Sequence, residues 1–147
     1  MSLLSRLFQK VNPSLTKDNG EVKTSGELIA EVTDGANLVE GKQTLELAEE
    51  KKDDIEYMKR CCDAELKTMA VAGIVSASYY FEHVAILSRK QKNYRQEVEY
   101  CELYINSIES YYKAGNREHE ADVRKGPTCK VIVARLPKAK NLLASNT

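Results

Sequence analysis

The sequence predicts an all-α protein, and three observations carry that prediction. Between residues 78 and 112, apolar side chains recur every three or four positions, which places them on one face of a helix. A second stripe of the same period runs through residues 43–69. Residues 130–136 contain Val131, Ile132 and Val133, which also favour strand, but no partner strand is visible, so we expect helix there as well. We therefore expect a helical hairpin, packed with a long amphipathic helix on its N-terminal side and a short C-terminal helix.

The hairpin is predicted to break at Lys92-Asn93. Its first helix carries a compact apolar face, made of Ala77, Tyr80, Phe81, Val84, Ala85, Leu87 and Ser88. Its second helix carries an apolar seam at intervals of four, three, four, three and four residues, made of Tyr94, Val98, Cys101, Ile105, Ile108 and Tyr112. Both patterns are typical of amphipathic helices.

A second row of tyrosines, Tyr100, Tyr104 and Tyr111, is displaced from the seam by one residue, or roughly 100° around the helix axis. One neighbouring helix cannot cover both rows. Either a third element packs on the tyrosines, or they form an exposed surface that suits another protein. The long helix is the obvious candidate for the covering element.

Residues 78–112, about a quarter of the chain, resemble one tetratricopeptide repeat, a helix-turn-helix unit of about 34 residues. The likeness rests on Phe81, Val84-Ala85, Arg89-Lys90-Gln91 before a polar turn, and Asn93-Tyr94 at the start of the second helix. The chain departs from the repeat at Glu97 and Tyr104, which stand where it has alanines, at Ser88 in place of an aromatic residue, and in lacking a closing proline. The resemblance implies a helical hairpin and a function in binding other proteins.

The N-terminal region is expected to differ from the rest. Residues 2–11 put Leu3, Leu4, Leu7, Phe8 and Val11 on one helical face, which could dock on the domain, touch a membrane surface or be disordered. Residues 12–41 are rich in turn-forming residues and suggest a flexible linker, although Thr24 and Glu27 could cap a short helix that ends near Val32 and Gly35. We thus predict a start and linker at residues 1–41 and one helical domain at residues 42–147.

The C-terminal region begins after residues 114–116, which are expected to end the hairpin. Pro127 is placed to start a helix, because its missing N–H is not needed in the first turn. Pro137 is expected to interrupt that helix and to begin a last short one through Leu143.

The charges balance globally, with 22 Lys plus Arg against 22 Asp plus Glu, but not locally. Residues 21–66 hold 13 acids and 6 bases, a net charge of −7, whereas residues 113–147 hold 8 bases and 3 acids, a net charge of +5. The molecule is therefore expected to be electrically bipolar.

Several classes of function find no support in the sequence. The longest uncharged run, residues 68–81, is too short to span a bilayer, and no signal peptide is evident. The four cysteines are most simply reduced thiols of a cytoplasmic protein, with one of the adjacent Cys61-Cys62 pair facing solvent. The chain lacks a glycine-rich phosphate loop, HExxH and GxSxG, so we expect no catalysis, no cofactor and no metal.

Two hypotheses of function remain. In the first, a groove between the long acidic helix and the hairpin binds another protein or peptide, with Tyr100, Tyr104 and Tyr111 as anchors and a polar rim of Arg89, Lys90 and Arg95. In the second, the protein is a nucleic-acid accessory factor that contacts phosphates through Arg124, Lys125, Lys130, Arg135, Lys138 and Lys140. No aromatic residue lies among these bases to stack on nucleobases, and the basic tail could instead pair with the acidic helix of the same chain. An enzyme with an unfamiliar site, where His83 would meet two carboxylates or a cysteine, has the least support.

Overall fold

The computed structural model describes residues 14–115, 117 and 119–147. Within these residues the chain forms α1 (Ser25–Val32), β1 (Leu38–Val39), β2 (Lys42–Gln43), α2 (Thr44–Glu50), α3 (Ile55–Ala72), α4 (Ser78–Lys90), α5 (Tyr94–Lys113), one turn of 3-10 helix (Val123–Lys125) and α6 (Pro127–Ser145). The predicted all-α class is confirmed. The amphipathic helix predicted at residues 2–11 lies outside the described residues.

Helix α1 begins and ends as its local sequence predicts. The Thr24 hydroxyl accepts a hydrogen bond from the Glu27 backbone N–H at 3.2 Å, and the Glu27 carboxylate accepts one from the Thr24 N–H at 2.8 Å. This capping box satisfies two N–H groups that a helix start leaves free. Gly35, at φ +78°, takes the left-handed conformation shortly after the helix ends.

The predicted linker is wrong at its C-terminal end. Strands β1 and β2 pair in antiparallel fashion, so this small hairpin spans the predicted boundary at residue 41. Its turn residues Glu40 and Gly41 both have positive φ, as a tight hairpin turn requires. Val39 is only 5% exposed and belongs to the core. At residues 38–43 the turn-forming residues therefore form a packed β-hairpin and not a flexible linker.

The predicted long helix over residues 43–69 is also wrong, because α2 and α3 are separate helices. The chain leaves α2 after Glu50, and α3 begins at Ile55, where the Asp54 carboxylate accepts hydrogen bonds from the N–H groups of Glu56 and Tyr57 at 3.1 and 3.3 Å. The charged run between them offers no apolar side chain for the core, whereas Asp54 is a good helix cap.

Helices α4 and α5 form the predicted antiparallel hairpin, with its turn at Lys92 and Asn93. The Asn93 side chain accepts a hydrogen bond from the Gln96 N–H at 3.2 Å and thereby caps α5. Across the pair, the Gln96 amide donates to the Ser88 hydroxyl at 2.8 Å, and the rings of Phe81 and Tyr104 lie 5.1 Å apart.

Helix α6 is continuous through Pro137, contrary to the predicted interruption, and it includes residues 130–136 as predicted. A proline within a helix removes one hydrogen bond, here the one to the carbonyl of Val133. Both residues lie on the exposed side of α6, where water can hydrate that carbonyl. The helix therefore tolerates the proline.

The helices build one stack. Helix α3 packs on α4, α4 pairs with α5, and α6 packs on both α4 and α5. The C-terminal ends of α3 and α5 lie together, and the Tyr111 hydroxyl donates to the carbonyl of Gly73 at 3.2 Å. The largest fully buried apolar side chains come from five helices: Leu47, Met58, Phe81, Val84, Tyr104, Ile108 and Ile132.

Candidate functional site

The second tyrosine row is largely covered, which corrects its predicted role as a set of exposed anchors. Tyr104 is 1% exposed and Tyr111 is 8% exposed, while Tyr100 is half-buried. Tyr104 lies against Phe81 of α4 and close to Cys129 of α6, so the covering elements at this ring are α4 and α6. Burial raises the pKa of Tyr100 to about 12.

Tyr111 closes the space between the ends of α3 and α5. Its hydroxyl lies within hydrogen-bond distance of the Gly73 carbonyl and, at 2.9 Å, of the Glu120 carboxylate. The guanidinium of Arg117 stacks 3.6 Å from the ring centroid, and its Nε donates to the Tyr111 carbonyl at 2.7 Å. Burial, and then the bond to Glu120, raise the pKa of the Tyr111 phenol to about 12.

An open groove of about 570 Å³ runs beside this closure, between α3 and α5. Its lining is mainly apolar and consists of Leu66, Met69, Ala70, Gly73, Leu103, Asn106, Ser107, Ser110, Tyr111, Ala114 and Arg117. This is the location that the first hypothesis predicts, between the hairpin and the helix that precedes it. We call it the α3–α5 groove.

The groove follows from small residues at helical spacing. Ser107 and Ser110 on α5, and Ala114 just after its end, face Ala70 and Gly73 at the end of α3. Because residues three or four apart share one face of a helix, these short side chains leave a continuous gap between the two helices. The stripe of small residues is visible in the sequence and would have predicted the groove. The prediction instead followed the row of tyrosines beside it.

Larger side chains border the gap. Leu103 is 37% exposed, and Leu66 and Met69 are half-buried. The flexible thioether of methionine adapts to differently shaped ligands. Asn106 and Ser110 add hydrogen-bonding groups to the α5 wall, so the groove combines apolar surface with a few polar contacts, as ligand sites generally do.

The predicted polar rim does not meet the groove. Arg89 is held by Glu97, with its Nε 3.0 Å from one carboxylate oxygen and 2.9 Å from the other. Lys90 and Arg95 are exposed beside the hairpin turn, whereas the groove lies along the C-terminal half of α5. The structure therefore brings none of the three predicted rim residues to the groove.

Glu97 is a buried carboxylate shared by two arginines. Its side chain is 0% exposed, and Nη1 of Arg135 donates to it at 2.5 Å in addition to the contacts from Arg89. The three residues come from α4, α5 and α6 and join these helices at one point. The resemblance to the repeat places an alanine at this position, so the carboxylate marks a different way of closing the hairpin.

The C-terminal bases divide into two groups. Arg124 pairs with Asp122 at 2.8 Å and with Glu109 at 3.0 Å, Arg135 pairs with Glu97, and Lys140 pairs with Glu102 at 3.2 Å. The Arg124 guanidinium lowers the pKa of Asp122 to about 2. The other bases, Lys125, Lys130 and Lys138, are exposed and form no ion pair within the described residues. The tail thus pairs mainly with acids of α5 and not with the helix predicted to be acidic.

The remaining candidate groups do not converge. All four cysteines are free and buried, including both Cys61 and Cys62, so the predicted exposed thiol is absent. Burial raises the pKa of Cys61 and Cys101 to about 11. His83 stacks on Tyr79 at 4.5 Å. In the described part of the chain, no three His, Cys, Asp or Glu side chains are grouped to hold a metal ion, and no helix is long and apolar enough to cross a membrane.

Comparison with known proteins found no family model, no curated protein and no solved structure that matches the chain. The resemblance of residues 78–112 to a tetratricopeptide repeat therefore stays a prediction.

Proposed function

We propose that the protein is a non-catalytic interaction module of tetratricopeptide-like type, and that its α3–α5 groove binds a short amphipathic helix of another protein. The observation that carries the proposal is the open apolar groove bordered by Leu66, Met69 and Leu103. Exposed apolar surface of this kind marks binding sites, because water solvates it poorly. The proposal moves the binding surface from the tyrosine row to the adjacent small-residue stripe.

The shape of the groove favours a helix as the ligand. Its α5 wall extends from Leu103 to Ala114, about 16 Å at 1.5 Å per residue, or three helical turns. A helix that lies between two others places apolar side chains at i, i+3 or i+4 and i+7 into the gap. Asn106 and Ser110 would then contact polar groups beside those anchors.

The packing of the helices also supports an interaction module. Helix α6 packs on both members of the α4–α5 hairpin, and α3 packs on α4. Repeat arrays stack successive helices in this manner and use their extended surfaces to bind other chains.

A display library of amphipathic helical peptides tests the proposal. We expect selected peptides to bind the full chain and to lose at least about tenfold in affinity with Leu103→Glu, because a buried carboxylate would then face apolar anchors. Val22→Glu, a change at an apolar side chain that is 75% exposed outside the groove, is the matched control. Circular dichroism verifies the fold of both variants. Peptides that bind the Leu103→Glu protein as tightly as the wild type would refute the groove as the site.

The nucleic-acid hypothesis has less support, because three of its six bases are already held by acids of the chain. Gel-shift assays at low salt test it directly. If the protein shifts neither single-stranded nor double-stranded probes, the hypothesis fails.

A further inference from the structure

The outward face of α6 is both apolar and basic. Val131 is 44% exposed, and it shares one side of the helix with the exposed Ala134, Lys130 and Lys138. Val133, 50% exposed, lies outside this face, because residues two apart on a helix point about 160° apart. Helix α6 contains four bases and no acid, and Arg135 and Lys140 are already paired with Glu97 and Glu102. The two free lysines therefore flank the exposed Val131 and Ala134, with no acid of the same helix to neutralise them.

This face lies at the end of the helical stack. The terminal units of stacked helices normally carry a polar outer face, since no further neighbour covers them. The exposed Val131 and Ala134 on α6 depart from that rule, and the two lysines determine which surface can cover them. A covering surface needs carboxylates together with an apolar side chain.

The chain carries such a surface on α2. Leu45 is 71% exposed, the highest value among the large apolar residues of the helices, and the exposed Glu49 lies one turn beyond it. Helix α2 contains three acids and no base. The Glu50 carboxylate is engaged by Lys42 at 2.7 Å, which leaves Glu46 and Glu49 beside Leu45 as the carboxylates without an ion pair in the described residues.

We infer that the α6 face of one copy binds the α2 face of a second copy, head to tail. Val131 and Ala134 cover Leu45 of the second copy, while Lys130 and Lys138 pair with its Glu46 and Glu49. Because the two faces differ, a bound pair still offers one free α2 face on one copy and one free α6 face on the other. The contact therefore extends into open chains of copies unless it closes into a ring.

The association is expected to be weak and sensitive to salt. Two short helical faces bury less area than a standard interface, and exposed ion pairs are screened by dissolved ions. We expect the sedimentation coefficient of the full chain to rise with concentration between about 10 µM and about 1 mM at low salt, and this rise to vanish near 0.5 M salt.

Charge reversal tests which residues form the contact. Lys130→Glu/Lys138→Glu and Glu46→Lys/Glu49→Lys should each sediment as monomers, while an equimolar mixture of the two should associate again. Lys90→Glu/Lys113→Glu changes the net charge by the same amount at exposed lysines elsewhere and should associate like the wild type. Glu46 helps to cap α2, so circular dichroism is the control that the variant with Glu46→Lys keeps its fold.

Three results would overturn the inference. These are a wild-type protein that stays monomeric at about 1 mM and low salt, an equal loss of association in the Lys90/Lys113 control, and failure of the mixture to associate. A monomeric protein that binds anionic lipid vesicles through Lys130 and Lys138 would assign the α6 face to membranes. The groove variant Leu103→Glu should self-associate normally, so this test is independent of the proposed function.

Discussion

Glu97→Gln is expected to destabilise the protein by about 3 kcal/mol. Removing one partner of a buried ion pair generally costs about 3–5 kcal/mol, because the remaining charge stays buried without its counterion. We take the lower end, since the side chains of Arg89 and Arg135 are 32% and 18% exposed and can move partly into water. Glutamine keeps the volume of the side chain, so this figure contains little contribution from a cavity.

Urea denaturation followed by helical circular dichroism measures the effect. With an m-value of about 2 kcal/mol per molar urea, the midpoint should fall by about 1.5 M. Glu99→Gln, at an exposed position of the same helix, is the control and should change stability by less than about 0.5 kcal/mol. A midpoint for Glu97→Gln within about 0.3 M of the wild type would refute the argument that the buried carboxylate balances the charges of the two arginines.

A triple replacement separates charge from packing. Arg89→Met/Glu97→Leu/Arg135→Met removes all three charges and fills the site with apolar side chains of similar size. Buried ion clusters replaced in this way are often as stable as the original or more so. We therefore expect the triple variant to recover the stability that Glu97→Gln loses. If the triple variant is as unstable as Glu97→Gln, shape and not charge dominates at this site.

Three further predictions follow from burial. Tyr104→Ala should lose about 3–5 kcal/mol of stability, seen as a large drop in the urea midpoint, whereas retained stability would mean that its ring is not core. All four thiols should resist a thiol-specific reagent in the native protein and react after unfolding; rapid labelling of the folded protein would contradict their burial. The pKa values of Tyr80, Tyr100 and Tyr111 are each raised to about 12, so the folded state favours the neutral phenols. The stability that this contributes is present below pH 10 and is lost as pH rises from about 10 towards about 12. Tyrosinate absorbance and helical circular dichroism should therefore change together, and full ionisation of the eight tyrosines near pH 10 with the helices intact would contradict it.

Local signals in the sequence predict local structure well. The capping box at Thr24 and Glu27 specifies α1, because both hydrogen bonds form between residues three apart. The hairpin turn at Lys92 and Asn93 is predictable for the same reason. The predicted long helix over residues 43–69 does not form, because residues 51–54 contribute no apolar side chain to its stripe. Asp54 instead caps the start of a separate helix, α3.

Which of the predicted apolar side chains are buried depends on packing between segments that are distant in the sequence. A tyrosine is equally compatible with a core and with a wet surface, so the covering of Tyr104 depends on the placement of α4 and α6. The sequence predicts where the groove lies but not which residues line it, because the gap arises only when two small-residue stripes face each other. The engagement of Glu97 likewise joins residues 38 positions apart, a pairing that no local pattern reveals.

The shared carboxylate at Glu97 also sets where the folding unit can be divided. A fragment that stops at residue 126 would keep the hairpin but would lose Arg135, together with Ile132, which is fully buried. In this fragment the Glu97 carboxylate would keep only one of its two arginines, and one side of α5 would be exposed to water. The final helix is thus an obligatory part of the cooperative unit, although the resemblance to a repeat ends some fifteen residues before it.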